Sequence, residues 1–135
     1  MNFDFPAAVP EIPVESIDVA STYYTKVLGF TFDWGDEAGG IAGLSRGQCR
    51  LFLTNSWFRS ARKNAGPVIV WLNVTSKQEV DALHAEWSQK EARIVAPPED
   101  KPWLLREFTA ADSDGNFFRV FYDFRAEGGA QHQSQ

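Results

Sequence analysis

The chain has 135 residues, 44% of them hydrophobic, with eleven Phe, five Trp and a formal net charge of −5. The acidic balance offers no basic face to nucleic acid, and no apolar run of about 18 residues is present to cross a bilayer. The single cysteine, Cys49, excludes an intrachain disulfide and fits a reducing compartment.

The start, Met1 to Pro6, lacks the basic residues and apolar stretch of a secretion signal, so a cytoplasmic protein is expected. Ala8 to Val14 reads as a strand. Pro10 and Pro13 place it at an edge or kink it, because proline cannot donate to a ladder. A helix follows, capped by Ser16 or Asp18, with Ile17, Ala20, Tyr24, Val27 and Leu28 at helical spacing, and Gly29 ends it. Phe30 to Trp34 alternates with period two, which predicts that Phe30, Phe32 and Trp34 share a face. Gly39 to Leu44 and Cys49 to Thr54 form a hairpin across Ser45 to Gln48. Asn55 to Gly66 is a polar connector carrying Arg59, Arg62 and Lys63.

Pro67 to Val74 is apolar almost throughout and is expected to be a strand covered on both faces. Ser76 to Glu79 reads as a capping box before a helix lined by Val80, Leu83 and Trp87. Arg93 to Ala96 is a short strand, and Pro97 to Asp100 a loop. Leu105 to Ala111 and Phe117 to Phe124 are the last strands, joined by Asp112-Ser113-Asp114-Gly115-Asn116, where Gly and Asn suit a tight reversal. Residues from Arg125 to Gln135 read as a frayed tail.

The order is therefore strand, helix, three strands, repeated. This is an α+β domain over residues 1–124, with modules at about 7–55 and about 66–124. Each half is too small to bury its own helix and sheet well. Paired edge to edge, the βαβββ modules predict one curved mixed sheet with helices outside and a ligand cleft on the concave face.

Several blocks carry a family likeness. They are Pro13-Val14 through Ala20, Tyr23-Tyr24, Leu28-Gly29-Phe30, His84 to Trp87, Pro102-Trp103 with Arg106-Glu107-Phe108, and Asp112 to Asn116. Together they resemble the vicinal-oxygen-chelate superfamily (glyoxalases, bleomycin-resistance proteins and dioxygenases), and especially its bleomycin-resistance branch. Ser113 stands where the branch has Pro. The resemblance implies a homodimer with ligand crevices made by both chains, and an N-terminal strand exchanged between subunits near Pro10.

That superfamily divides into metal enzymes and metal-free binders. Its metal-ligand positions fall here at Val9, within Pro67 to Ile69, and at Arg119. Apolar side chains cannot ligate, and a guanidinium repels a cation. His84 and His132 are the only histidines, so no metal, no cofactor and no Ser/His/Asp or Cys/His machinery is expected. The resemblance instead implies a binder of bleomycin-type ligands. Trp103 and Trp34 would stack on the flat part of the ligand, with Phe32 nearer the core. Arg119 would meet an anionic group or pair with Glu107 or Asp33. Asp36, Glu37, Glu99 and Asp100 would draw a cationic tail. The branch's further cleft aromatic falls at Gly39 or Gly40, a departure that removes stacking area. The alternatives are a metal-dependent lyase or dioxygenase, and a binder of another small aromatic ligand.

Overall fold

The computed structural model describes residues 2–62 and 65–127. In chain order it contains β1 (Glu11–Pro13), α1 (Ile17–Lys26), β2 (Thr31–Asp36), β3 (Ile41–Arg46), β4 (Cys49–Thr54), α2 (Ser56–Arg59), β5 (Ile69–Asn73), α3 (Lys77–Gln89), β6 (Arg93–Asp100), β7 (Leu105–Ala111) and β8 (Phe117–Asp123). The α+β class and the repeated module are as expected.

Ser16 is the cap of α1, its Oγ accepting from the Val19 amide at 3.1 Å, while Asp18 sits in the first turn. Ser76 caps α3 in the same way. The reciprocal Glu79 carboxylate reaches one residue further back than a capping box requires, to the amide and hydroxyl of Thr75. The polar connector is not all irregular, since Asn55 caps the short α2 and a single 3-10 turn, Ser60–Arg62, follows it. Lys63 lies outside the described residues.

The strands are hydrogen-bonded as two four-stranded mixed sheets, β1-β4-β3-β2 and β5-β8-β7-β6, and not as one continuous sheet. In each, the strand before the helix pairs parallel with the last strand of its module. The modules meet instead through their helix-bearing sides. Tyr24 of α1 stands edge-on to Phe118 of β8 at 5.7 Å, and the Trp87 indole of α3 donates to the Leu28 carbonyl at 3.1 Å. One core cluster joins these to Leu44, Leu53, Phe108 and Val120. Two half-sized modules bury far more apolar area by sharing a core than by abutting sheet edges. The cost is that the opposite side of each sheet stays open.

That open side corrects the reading of β5. Val70 and Leu72 pack on the core, but Trp71 between them is 47% exposed, so the strand is covered on one face only. Another correction concerns Pro97 to Asp100. β6 continues through them to Asp100, which pairs with Arg106. An edge strand with register shifts tolerates prolines that a central strand would not.

The Asp112 to Asn116 segment does more than turn the chain. Buried Asp112 accepts the Tyr24 hydroxyl at 2.6 Å, the Asn116 side-chain amide at 2.9 Å, and the backbone amides of Asp114 and Asn116. Asn116 also donates to the Pro13 carbonyl and accepts from the Val68 amide, both at 2.9 Å. One turn thus braces β1, α1 and the entry to β5 against each other. Burial next to Asp112 pushes the Tyr24 phenol pKa well above its ordinary value. The start of the expected tail is also held, because Arg125 donates to the Trp103 carbonyl at 3.1 Å and residues 125–127 are helical. The rest of the tail lies outside the described residues.

Candidate functional site

The open face of the second sheet is built by pairing across β7 and β8. Glu107 registers with Phe121 and Thr109 with Arg119, so all four share a face. Trp71 of β5 registers with Arg119 and joins them. The tight turn Lys101 to Leu104, closed by a 2.9 Å backbone bond and a positive φ at Leu104, stands Trp103 beside the same face.

Glu107 is the centre of this face. It is only 3% exposed, yet it carries a carboxylate. Its Oε2 accepts the Trp103 indole N–H at 3.1 Å, and its Oε1 lies 3.8 Å from the Arg119 guanidinium. The guanidinium in turn lies 5.3 Å over the Trp71 ring, and Trp71 meets Phe121 edge-on at 5.5 Å. A buried carboxylate requires such partners, since an unpaired one would be strongly disfavoured. The result is a pre-ordered wall of three aromatics around an ion pair, with Trp103 itself 52% exposed. Trp103, Glu107 and Arg119 are thereby brought together. Trp71 and Phe121 escaped the sequence reading, although Trp71 alternates with Ile69 and Phe121 with Arg119.

On the first sheet, Trp34 registers with Gly43 and stands edge-on to Phe52 at 5.3 Å. The indole lies against the Gly43 backbone, where a Cβ would overlap the ring. Trp34 is 42% exposed on the open side. Phe32 is not its neighbour. A register shift at Asp33 pairs Phe32 with Leu44, whose side chain is in the core, so Phe32 and Trp34 point to opposite faces. The glycine at position 40 is also not an empty place. Its Cα lies under Trp57 and Phe58 of α2, both exposed, so aromatic area returns from a different element.

The expected acidic cluster is engaged within the fold. Glu37 accepts from Ser16, Asn55 and the Asp18 amide, the last being the main cause of its lowered pKa. Asp36 accepts the Gly39 amide, and Glu99 pairs with Lys101 at 2.8 Å. Asp100 pairs with Lys77 and Arg106, which together hold its carboxyl below the usual range, Lys77 most strongly.

The residues at the family's metal positions do not fit a divalent cation. Val9 and Ile69 have no donor atoms, and Arg119 brings a positive charge. Among the described residues no group of three or more His, Cys, Asp or Glu side chains is placed to hold a metal ion. His84 lies edge-on to Phe108 on the helix-bearing side, away from the open face, and His132 is outside the described residues. Cys49 is half-buried, and burial pushes its thiol pKa up, the opposite of what a nucleophile needs. Among the described residues no helix is long and apolar enough to cross a membrane.

Residues 7–120 match the family model of the Glyoxalase/Bleomycin resistance protein/Dioxygenase superfamily. No curated protein sequence matches the chain. Among solved structures, a glyoxalase/bleomycin resistance protein/dioxygenase from Nocardioides is similar at a TM-score of 0.72 and 19% identity, over 90% of this chain and 85% of that one. The bleomycin-binding protein of bleomycin-producing Streptomyces verticillus, complexed with copper(II)-bleomycin, is similar at 0.68 and 26% identity, over 88% and 97%. Lactoylglutathione lyase from Agrobacterium tumefaciens is similar at 0.71 and 19% identity, over 88% and 95%.

Proposed function

The chain belongs to the glyoxalase/bleomycin resistance protein/dioxygenase superfamily, and within it we propose a cytoplasmic, metal-independent binding protein that sequesters a bleomycin-type glycopeptide antibiotic. The observation that carries this reading is the pair of open aromatic faces, Trp34 with Phe52 on one sheet and Trp71, Phe121 and Trp103 around Glu107–Arg119 on the other. Offset stacking of a flat ligand group on such rings adds about 0.5–1.5 kcal/mol per pair beyond area burial. The likeness to the Streptomyces bleomycin-binding protein supports the ligand class. Resistance would then come from holding the drug, with no bond made or broken.

The helix-bearing sides share one core, and Trp34 and Trp103 stand on the open sides of different sheets. A crevice walled by both Trp34 and Trp103 therefore calls for a second copy, the open face of one sheet closing on the other sheet of its partner. This is the homodimer of the proposal. Its N-terminal segment, which runs exposed ahead of β1 with Phe3 and Phe5 uncovered, is the part to be exchanged about Pro10.

A second reading, a binder of some other small aromatic ligand, is favoured by the acids. Asp36, Glu37, Glu99 and Asp100 are all engaged within the chain, leaving little to grip a cationic tail. The lyase or dioxygenase reading would need metal donors that Val9, Ile69 and Arg119 do not supply. Titrating intrinsic Trp fluorescence with metal-free and with copper-loaded bleomycin separates the readings. Saturable quenching at about one drug per chain is expected. Its absence at tens of micromolar drug, roughly 6–7 kcal/mol of binding energy, would leave the generic binder.

A further inference from the structure

The seam between the modules holds a half-open cavity of about 480 Å³, within the size range of small-molecule sites. Its floor is apolar and comes from both modules: Phe30 and Trp87 from the core, with Val70, Leu72 and Leu83 beside them. Ala8 and Pro10 of the N-terminal segment also line it, and in an exchanged dimer the partner's segment supplies the same residues. Its polar lining is Arg46, Gln48, Arg50 and Asn73, and among the described residues no acidic side chain lines it. In a chain with eighteen Asp and Glu against thirteen Lys and Arg, a cavity whose charged lining, among the described residues, is arginine is a selective feature.

The two arginines differ. Arg46 is committed, with both terminal nitrogens on the Glu86 carboxylate at 2.8 and 3.0 Å and a further bond to the Leu28 carbonyl. Arg50 is exposed. Among the described residues it makes no hydrogen bond or ion pair, and its guanidinium rests only 5.7 Å over the Phe52 ring. A guanidinium offers several fixed N–H donors suited to a carboxylate, and here they are unused. Trp71 borders the cavity, and Cys49, the chain's only cysteine, lines it next to Arg50.

We propose that this seam cavity is a second binding site, sharing only Trp71 with the Trp103 face, for a small amphiphilic carboxylate. The apolar body of the ligand lies on Phe30, Leu72, Leu83 and Trp87, and its carboxylate is held by Arg50 at the rim. Gln48 and Asn73 supply neutral polar groups beside it. A cationic head group is disfavoured, because Arg50 meets it with like charge and the Glu86 carboxylate is already taken by Arg46.

The test uses the full-length protein and three probes that share one body: 4-phenylbutyrate, its primary amide and its amine. Binding is followed by calorimetry and by the rate at which iodoacetamide alkylates Cys49. The acid is expected to bind about tenfold more tightly than the amide, as a charge-assisted pair should, and to slow Cys49 alkylation as it saturates. Arg50→Gln is expected to abolish the preference for acid over amide while leaving amide binding intact. Equal binding of acid and amide, retention of the preference in Arg50→Gln, saturation without protection of Cys49, or no saturable binding at millimolar probe would each overturn the proposal. None of these outcomes depends on whether bleomycin binds, since they are read by calorimetry with the probes alone and at Cys49.

Discussion

At the scale of single residues, the proposed site gives Trp103 two roles that separate cleanly. Its ring is half-exposed, and among the described residues its indole N–H is one of two partners of the buried Glu107 carboxylate. Trp103→Ala removes both and is expected to weaken ligand binding by tenfold or more, about 1.4 kcal/mol per factor of ten. Trp103→Phe keeps the stack and loses only the hydrogen bond, so its affinity is expected between wild type and the alanine variant. Fluorescence titration of the three proteins, with circular dichroism to confirm folding, checks the order. On the other sheet, Gly43 is the residue that lets Trp34 lie flat. Gly43→Ala pushes the indole off the sheet and is expected to weaken binding as strongly as Trp34→Ala, although position 43 is covered by the ring and need not touch ligand. Unchanged affinity in Gly43→Ala would remove Trp34 from the site. The family likeness points to Trp103, Glu107 and Arg119, and the Arg119–Glu107 pairing is one of the alternatives it leaves open. Phe32 was placed on the wrong face because the register shift at Asp33 leaves no mark in an alternating pattern. Trp71 was hidden inside an apolar run, where periodicity cannot say which side is open.

At the scale of elements, the β7–β8 turn is the brace of the fold. Its bonds reach Tyr24, Pro13 and Val68, all distant in sequence. Tyr24→Phe leaves Asp112 buried with one donor fewer, and Asn116→Ala removes bonds to Asp112, Pro13 and Val68 together. Each is expected to lower unfolding free energy by about 1–3 kcal/mol, the cost of a buried polar group left short of partners. Because both act through Asp112, the double variant should lose less than the sum. Urea denaturation of the two single variants and the double variant tests this, and full additivity would deny that they form one network. The turn itself was readable from Gly115 and Asn116. The brace was not, because it depends on where a helix and two strands lie in space. The length of β6 was missed for a local reason: Pro97 and Pro98 signal a loop unless the strand is known to be an edge.

At the scale of the whole molecule, the repeat of strand, helix and three strands was plain from pattern. How the repeats join was not. Edge-to-edge pairing and a shared helix-side core use the same apolar residues, and only the second buries Tyr24, Trp87, Phe108 and Phe118 together. That choice leaves Trp34, Trp71 and Trp103 outward and makes the proposed crevice a property of two chains. Sedimentation equilibrium is therefore expected to give twice the mass of a single chain at micromolar concentration, and Trp71→Glu, placing a charge on the open face, to shift it toward monomer. The central claim is that this protein holds a bleomycin-type ligand without a metal of its own. It is tested most directly by treating the protein with chelator, confirming by elemental analysis that no metal remains, and titrating Trp fluorescence with metal-free bleomycin. Saturable quenching at about one drug per chain, unchanged when divalent metal is restored, is the predicted result. Binding or turnover that appears only after metal is added back would contradict it.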